Sequence, residues 1–249
     1  MPRATISKVP YHSARSRVSK FIIASLCSSS CGSAGLSPTK AMSIAASASR
    51  RAVGRLRPSE SALLVCDVQE RFRPLIHKME TVINTTKFMT SVARELNVPI
   101  VITQQYTKVF GPTIPDAFVD PTMLGTSFAP IFEKRKFSML TEECTAHLNS
   151  LERKSFVLVG IEAHVCVQQT CLDLLELGHH VHVICDGVSS QGRYDREVAL
   201  RRMEMSGAWL TTSQSAAFML LEGADHPKFR TVSGLVKDHM TLRNEFDER

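Results

Sequence analysis

From residue 61 onward, short apolar runs alternate with longer segments in which apolar residues recur at helical spacing. Residues 62–66 form the first apolar run, which ends at Asp67, whereas residues 79–96 carry the first helical stripe. Strands that are apolar on both faces and separated by helices are typical of a parallel sheet covered by helices on both sides. The alternation therefore predicts an α/β fold, a Rossmann-like three-layer α-β-α sandwich with a central parallel sheet of six strands.

The same pattern gives approximate bounds for the elements. The predicted strands cover residues 62–66, 100–103, 129–133, 155–159, 180–185 and 208–211. The predicted helices cover residues 79–96, 141–151, 165–177, 194–206, 213–221 and 226–239. We expect Asp186 and Gly187 to end the fifth strand, Ser213 to cap the following helix, and residues 106–129 to form a long loop with at most one helical turn.

The formal net charge of +6 comes from the N-terminal segment. Residues 1–59 contain ten Lys and Arg and no Asp or Glu, which leaves 20 basic and 24 acidic residues, a net charge of −4, in residues 60–249. The folded part therefore has no overall positive charge that would attract nucleic acid.

The N-terminal segment also contains thirteen serines in its first fifty residues. A segment that is rich in Arg and Ser and free of acids is typical of an organellar transit peptide. We therefore expect residues 1–58 to be a disordered leader for mitochondrial import and residues 59–249 to form one domain. The alternatives are a solvated basic tail or a true start at Met42, either of which would favour a cytoplasmic protein. No apolar run reaches the ~18 residues of a membrane-spanning helix, so no membrane contact is expected.

The sequence GIEAHVCV at residues 160–167 joins a predicted strand to a predicted helix. Cys166 lies near the first turn of that helix, where free backbone amides and the helix dipole favour a thiolate. Cys166 is therefore a candidate nucleophile, and the backbone amides of Glu162 and Cys166 are candidates for holding an oxyanion. The alternative is that Cys166 is a buried core thiol.

In an open α/β sheet, the functional site lies beyond the carboxyl ends of the strands. Asp67 follows the first predicted strand, and Lys134 and Lys136 follow the third. A carboxylate can exchange a proton with a thiol, and an ammonium group can stabilise the developing anions. Asp67 could instead cap the next segment. Lys134 and Lys136 face the same side of an extended strand, so periodicity does not separate them.

Seven cysteines are present, but none of those in the folded part are paired in CxxC spacing. This pattern gives no indication of a zinc ribbon or a thioredoxin-like site, and no metal or cofactor is expected. Cys66 and Cys185 lie in apolar runs and are expected to be inert core residues.

Four segments, in this order, resemble the isochorismatase-like cysteine hydrolases, and among them the isochorismatase domain-containing branch. They are LVCDVQERF at 64–72, KRKFS at 134–138, GIEAHVCV at 160–167 and VICDG at 183–187, and AWLTTS at 208–213 also fits. The resemblance covers about residues 60–235. It implies a catalytic triad of Asp67, Lys134 and Cys166, because the family's lysine precedes an aromatic residue by three positions, here Phe137. It also implies a cis peptide bond before Glu162.

The resemblance limits the substrate as well. Nicotinamidases of this superfamily bind a metal through an Asp-x-His cluster after the second strand, where this chain has TQQYT at 103–107. Many relatives have an aspartate where this chain has His164. The resemblance therefore implies an unidentified small amide-type substrate rather than nicotinamide or isochorismate, and a covalent intermediate on the cysteine.

Several residues near these motifs are candidates for the walls of a substrate pocket. They are Gln69, Phe72, Tyr106, Phe110, Ile161 and His164. Gln69 and Phe72 could equally pack locally. His164 precedes Cys166 by two positions, so on a helix the two side chains would point apart, and a Cys–His pair is not expected.

Two other functions remain open. Some proteins of this branch carry the name mitochondrial-associated ribonuclease, but the charge of residues 60–249 and the lack of aromatic-basic motifs argue against nucleic acid as a partner. A non-catalytic binding protein could also use this fold. The resemblance implies a homo-oligomer, a dimer or a tetramer.

Overall fold

The computed structural model describes residues 53–247, which contain a single sheet of six parallel strands. The strands are β1 (Ser61–Cys66), β2 (Ile100–Gln105), β3 (Ile131–Lys134), β4 (Ser155–Ile161), β5 (His180–Ser189) and β6 (Trp209–Thr211). The helices are α1 (Met79–Glu95), α2 (Thr107–Phe110), α3 (Glu142–Ser150), α4 (Gln168–Glu176), α5 (Arg193–Met205), α6 (Ser213–Leu221) and α7 (Phe229–Met240). A π-helical turn, Ala163–Val167, precedes α4.

The predicted three-layer sandwich is confirmed by two separate apolar cores, one on each face of the sheet. One core contains Leu63 and Val65 of β1 together with residues of α1, α6 and α7. The other contains Leu64 and Cys66 of β1 with residues of α3, α4 and α5. Because successive side chains of a strand point to opposite faces, β1 supplies both cores and is buried along its whole length.

The strand order is β3-β2-β1-β4-β5-β6. The chain builds outward from β1 to β3 and then returns to the other side of β1, so the order reverses between β1 and β4. Ligands of open α/β sheets bind at such a reversal, beyond the carboxyl ends of the strands. The register pairs Cys66 with Gly160 across β1 and β4, and Gln105 with Lys134 across β2 and β3. The ends of four strands therefore meet at one edge.

The prediction that the fifth strand ends at Asp186 and Gly187 is wrong, because β5 continues to Ser189. The pairing of β5 with β4 shifts its register between Leu158 and Gly160, and Ile161 then pairs with Ser189. Across this irregularity β4 advances by two residues and β5 by five, so pairing resumes after three extra residues of β5. Hydrogen bonds to a neighbouring strand thus outweigh a local Asp-Gly signal.

The expected cap at Ser213 is also displaced by one residue. Thr212 caps α6 by accepting a hydrogen bond from the Ser215 amide, whereas Ser213 is the first helical residue and bonds to Asp186. The loop between β2 and β3 contains three short helical segments, α2, Pro115–Ala117 and Pro121–Met123, rather than one turn.

The N-terminal edge of the described residues is part of the fold. Leu56 lies in the segment that the sequence assigned to the leader, yet its side chain is fully buried and its amide donates to the Met219 sulfur at 3.2 Å. Folded structure therefore extends at least to Leu56. The remainder of the predicted leader lies outside the described residues. Within residues 53–247, none of the helices combines the length and the apolar character needed to span a bilayer.

Candidate active site

Asp67 lies immediately after β1, in the left-handed region of the backbone with a φ of 50°. Asp is one of the few residues other than Gly that adopt this conformation without a large penalty. The side chain is almost completely buried and bonds at both carboxylate oxygens. Thr103 donates from Oγ1 to Oδ1 at 2.8 Å, and Lys134 donates from Nζ to Oδ2 at 2.7 Å. The carboxylate is therefore held in one orientation.

Lys134 is the last residue of β3, and its side chain is fully buried. Besides Asp67, its ammonium donates to Oε1 of Gln105 and to the carbonyl oxygens of Lys136 and Phe137, at distances between 2.7 and 3.2 Å. Burial disfavours the charged form of this amine. Despite this burial the pKa of Lys134 is raised, and the charge and hydrogen bond of Asp67 contribute to the rise.

Lys136, the alternative lysine, lies elsewhere. The strand ends at Lys134, and the chain then bends so that the Lys136 side chain is exposed. Its ammonium lies 3.4 Å from a carboxylate oxygen of Asp173 and bonds to the Leu140 carbonyl. The structure therefore brings Lys134, and not Lys136, to Asp67.

Cys166 lies within the π-helical turn that follows β4, and only 7% of its surface is exposed. The turn is closed around the Glu162 carbonyl, which accepts from the amides of Val165 and Val167 at 3.0 and 3.2 Å. The peptide bond between Ile161 and Glu162 is cis, as the resemblance implied. Cys166 lines the same cavity as Asp67, so the structure brings the nucleophile candidate to the Asp67–Lys134 pair.

Gly160 allows β4 to approach β1 closely at this point. Its φ is +120°, and a Cβ at this position would lie 2.1 Å from the carbonyl oxygen of Cys66. A glycine has neither the steric penalty of this backbone conformation nor the clash. The close approach places the end of β4, and with it the turn that carries Cys166, beside the end of β1.

Burial makes three of the other cysteines poor candidates for the nucleophile. Desolvation raises the pKa of Cys144 and of Cys171 to about 12, and it raises the pKa of Cys66 well above its ordinary value. These three thiols are therefore protonated at neutral pH and are poor nucleophiles. The expectation that Cys66 is a core residue is consistent with its complete burial.

A cavity of about 220 Å³ opens above Cys166. It is lined by Asp67, Phe72, Gln105, Phe110, Phe137, Ile161, Glu162, Val165, Cys166 and Gln191. The rings of Phe72 and Phe110 are stacked, with centroids 4.7 Å apart. Two of the pocket residues predicted from the sequence, Phe72 and Ile161, lie in this wall, as does Phe110 from the 106–129 loop.

The other three candidates do not belong to the lining of this cavity. Gln69 is fully buried, and its side-chain amide bonds to the backbone of Gln105 and Gly111. Tyr106 packs its ring against the guanidinium group of Arg135. His164 bonds through Nδ1 to the Ser190 hydroxyl at 2.9 Å. Local packing accounts for the position of each side chain.

Three residues of the site were missed by the sequence analysis. Thr103 anchors Asp67, Gln105 bonds to Lys134, and Gln191 bonds to both carboxylate oxygens of Glu162, through its backbone amide at 2.9 Å and its side-chain amide at 3.2 Å. The position of Thr103 opposite Cys66 in the β1–β2 register explains its role. That register depends on long-range pairing and is not visible in any local motif. Among residues 53–247, no group of three or more His, Cys, Asp and Glu could hold a metal ion.

Comparisons with known proteins extend these observations. The isochorismatase domain matches residues 61–215. The secreted isochorismatase effector Isc1 of Phytophthora sojae is 46% identical over 208 residues, which are 83% of this chain and 98% of that protein. Isochorismatase domain-containing protein 2 of Xenopus laevis is 40% identical over 191 residues, 76% of this chain and 90% of that protein.

Among solved structures, that of the MAR1 ribonuclease from Caenorhabditis elegans matches with a TM-score of 0.68 and 42% sequence identity. The match covers 74% of this chain and 92% of that one. The domain match includes the strand ends that carry Asp67, Lys134 and Cys166. The chain therefore belongs to the isochorismatase-like hydrolase family.

Proposed function

We propose that this protein is a cysteine hydrolase of small amides, with Cys166 as the nucleophile, Asp67 as the general base and Lys134 as the group that stabilises negative charge. The observation that carries the proposal is the buried Asp67–Lys134 ion pair at 2.7 Å, whose Asp67 lines the same cavity as Cys166. A nucleophile, a base and a fixed positive charge around one small cavity are what covalent hydrolysis needs.

In the first half of the reaction, Asp67 takes the proton of the Cys166 thiol, and the sulfur attacks the amide carbon. The carbonyl oxygen of the resulting tetrahedral intermediate carries a negative charge, which the backbone amides of Glu162 and Cys166 would stabilise. The intermediate collapses when its C–N bond breaks, and the departing amine takes the proton held by Asp67. The acyl group is then bound to Cys166 as a thioester.

In the second half, Asp67 removes a proton from a water molecule, which attacks the thioester. The C–S bond breaks, the proton returns to the Cys166 sulfur, and a carboxylic acid leaves. Lys134 donates no proton in this scheme. Its ammonium, held by four acceptors, keeps Asp67 oriented and favours the thiolate through its charge.

Mass spectrometry of the intact protein tests the proposal. The protein is incubated with a panel of small amides, and an acyl adduct is sought on Cys166. We expect Cys166→Ala to form no adduct and to show no turnover, while its circular dichroism spectrum is unchanged. Cys185→Ala is the matched control, because Cys185 is more exposed than Cys166 but lies on β5. Full turnover by Cys166→Ala would contradict the proposal.

The reactivity of the thiol separates an enzyme from a binding protein on the same fold. A catalytic Cys166 is expected to react with iodoacetamide faster than Cys185, whose pKa is raised by burial. Equal rates would instead support the non-catalytic alternative.

RNA cleavage is a second candidate because a relative of 42% identity is named a ribonuclease. Its test is RNA cleavage by highly purified protein and by the Cys166→Ala and Asp67→Asn variants. An activity of this site is lost in both variants, whereas a contaminating nuclease survives in both.

We also propose mitochondrial import, on the composition of residues 1–58. A fluorescent protein fused to residues 1–58 is expected to enter mitochondria, and a fusion that starts at Met42 is expected to stay in the cytoplasm.

A further inference from the structure

The walls of the cavity above Cys166 are mostly aromatic and aliphatic. Phe72 and Phe110 form a stacked pair, and Phe137, Ile161 and Val165 complete the apolar surface. Flat aromatic rings that pack in parallel offer a surface to another flat group. The volume of about 220 Å³ is below the roughly 300–1,000 Å³ of pockets that bind drug-sized ligands, so a single small ring suits this space.

The charges around the cavity exclude an anion. Among the residues that the structure describes, the lining contains no Lys, Arg or His. Lys134, the nearest buried cation, already donates to four acceptors, although an ammonium group has only three hydrogens. It therefore has no donor left for a substrate carboxylate.

Glu162 contributes a negative charge to the same wall. Its carboxylate is held by two neutral donors of Gln191, and within residues 53–247 no Lys or Arg pairs with it. The nearest basic group is the His164 imidazole, whose Nδ1 lies 4.0 Å away and also bonds to Ser190. A carboxylate or phosphate in the cavity would lose its hydration, gain no cationic partner and lie close to Glu162.

From this combination of stacked aromatic walls, a lysine with no free donor and a Glu162 carboxylate held by neutral donors, we propose that the substrate is an amide without negative charge whose acyl group is a small, flat, apolar ring. The catalytic part of this statement rests on the function proposed above. The binding part rests only on the cavity. The cavity thus selects against acids such as dicarboxylates, although it belongs to an isochorismatase domain.

Binding to the Cys166→Ala variant tests the selectivity without requiring turnover. The probes are 4-nitrobenzamide and 4-carbamoylbenzoate, since the nitro and carboxylate groups have nearly the same shape and differ in charge. Calorimetric titration at neutral pH and low salt is expected to show 4-nitrobenzamide binding roughly tenfold or more tightly, because one charge repels Glu162 at short range in a medium of low dielectric constant. Equal binding, tighter binding of the carboxylate, or no binding of either probe would overturn the proposal.

Two variants locate the effect. Glu162→Gln keeps the shape of the side chain and removes its charge, so the preference for the uncharged probe is expected to shrink several-fold. Phe110→Ala removes one ring of the stack. It is expected to weaken the binding of both probes several-fold, with little change in the ratio of their affinities. A ratio unaffected by Glu162→Gln would show that Glu162 is not the source of the selectivity.

The wild-type protein then separates the two proposals. Preferential binding of 4-nitrobenzamide together with an adduct on Cys166 supports both. The same preference without an adduct or turnover on any uncharged aromatic amide refutes the catalytic proposal and leaves the cavity's selectivity for uncharged ligands intact. An adduct that forms faster with 4-carbamoylbenzoate refutes the selectivity and supports the cysteine mechanism.

Discussion

The hydroxyl of Thr103 donates a hydrogen bond to Oδ1 of Asp67 at 2.8 Å, in a position where both side chains are shielded from water. Because Lys134 bonds to the other carboxylate oxygen, Asp67 is anchored from two neighbouring strands. A base held in this way can meet a thiol in only a narrow range of orientations, which is how catalytic groups gain from positioning. Thr103 is therefore expected to act as a positioning residue for the proposed base.

Replacement of Thr103 by Val is expected to slow the alkylation of Cys166 by iodoacetamide by about tenfold, because the Asp67 carboxylate can rotate away from the thiol. The loss of one buried hydrogen bond should cost about 1 kcal/mol of stability. Thr103→Ser keeps the hydroxyl and is expected to restore most of the rate. An unchanged rate in Thr103→Val would show that Lys134 alone fixes the carboxylate.

Lys134→Met and Lys136→Met form a matched pair that separates the two neighbouring lysines. The first substitution leaves the Asp67 charge buried without its partner, so the free energy of unfolding is expected to fall by about 3–5 kcal/mol. Lys136→Met removes an exposed ion pair and should change the free energy of unfolding by less than about 1 kcal/mol. Urea denaturation measures both, and comparable losses would contradict the assignment of Lys134.

Gly160→Ala is expected to prevent correct folding of the protein. The added methyl group would lie 2.1 Å from the Cys66 carbonyl oxygen, and backbone atoms of two paired strands cannot move apart independently. Gly207→Ala is the control, because its φ of +110° is similar but no atom lies within 4 Å of the added carbon. That variant should lose only about 1–3 kcal/mol from backbone strain. Similar thermal stability for the two variants would contradict the steric explanation.

His182 should make the protein less stable in mild acid. Burial, with a smaller contribution from His180, lowers the pKa of His182 from 6.5 to about 4. Below pH 6.5 the unfolded chain binds a proton that the folded protein does not bind until about pH 4, so stability falls as the pH falls through this range. Between pH 7 and pH 4.5 the free energy of unfolding is expected to fall by roughly 2 kcal/mol.

His182→Phe isolates this effect, because Phe keeps an aromatic ring against Trp209 and cannot take up a proton. Comparison of urea denaturation at several pH values should show that the variant loses roughly 2 kcal/mol less than the wild-type protein over the same range. Identical pH profiles would mean that His182 is protonated in the folded state as easily as in the unfolded chain.

The homo-oligomer that the family resemblance implies has a candidate contact surface on α5. Tyr194, Val198 and Met205 are 72%, 40% and 88% exposed and follow one another at spacings close to whole helical turns. We expect light scattering to give the mass of a dimer or tetramer, and Met205→Glu to reduce it. Leu242→Glu, an exposed apolar residue beyond α7, is the control. A monomeric wild-type protein would contradict the oligomer.

The sequence was sufficient for the sheet and for the meeting of Asp67, Cys166 and a lysine at 134 or 136, because each lies at or soon after the carboxyl end of a strand. It did not separate Lys134 from Lys136 by periodicity, because the bend after β3 reverses the direction of the second side chain. Only the resemblance to a family made that distinction.

Residues whose roles depend on strand register were not predicted. Thr103 and Gln105 reach the site because β2 lies between β1 and β3 in a fixed register. Gln191 reaches it because β5 continues beyond its Asp-Gly signal. These positions depend on pairing between segments that are far apart in the chain, whereas a motif contains only neighbours in sequence.

The extension of β5 past the end expected for it has an evolutionary consequence. Gln191, which follows that extension, holds the Glu162 side chain at the cavity wall, whereas Cys166 is carried by β4 and its turn. The residue that holds the Glu162 carboxylate and the proposed nucleophile thus lie in separate stretches of the gene. Under the proposed roles, exchange of the residue at 191 would change how the Glu162 carboxylate is held while Asp67, Lys134 and Cys166 are inherited unchanged.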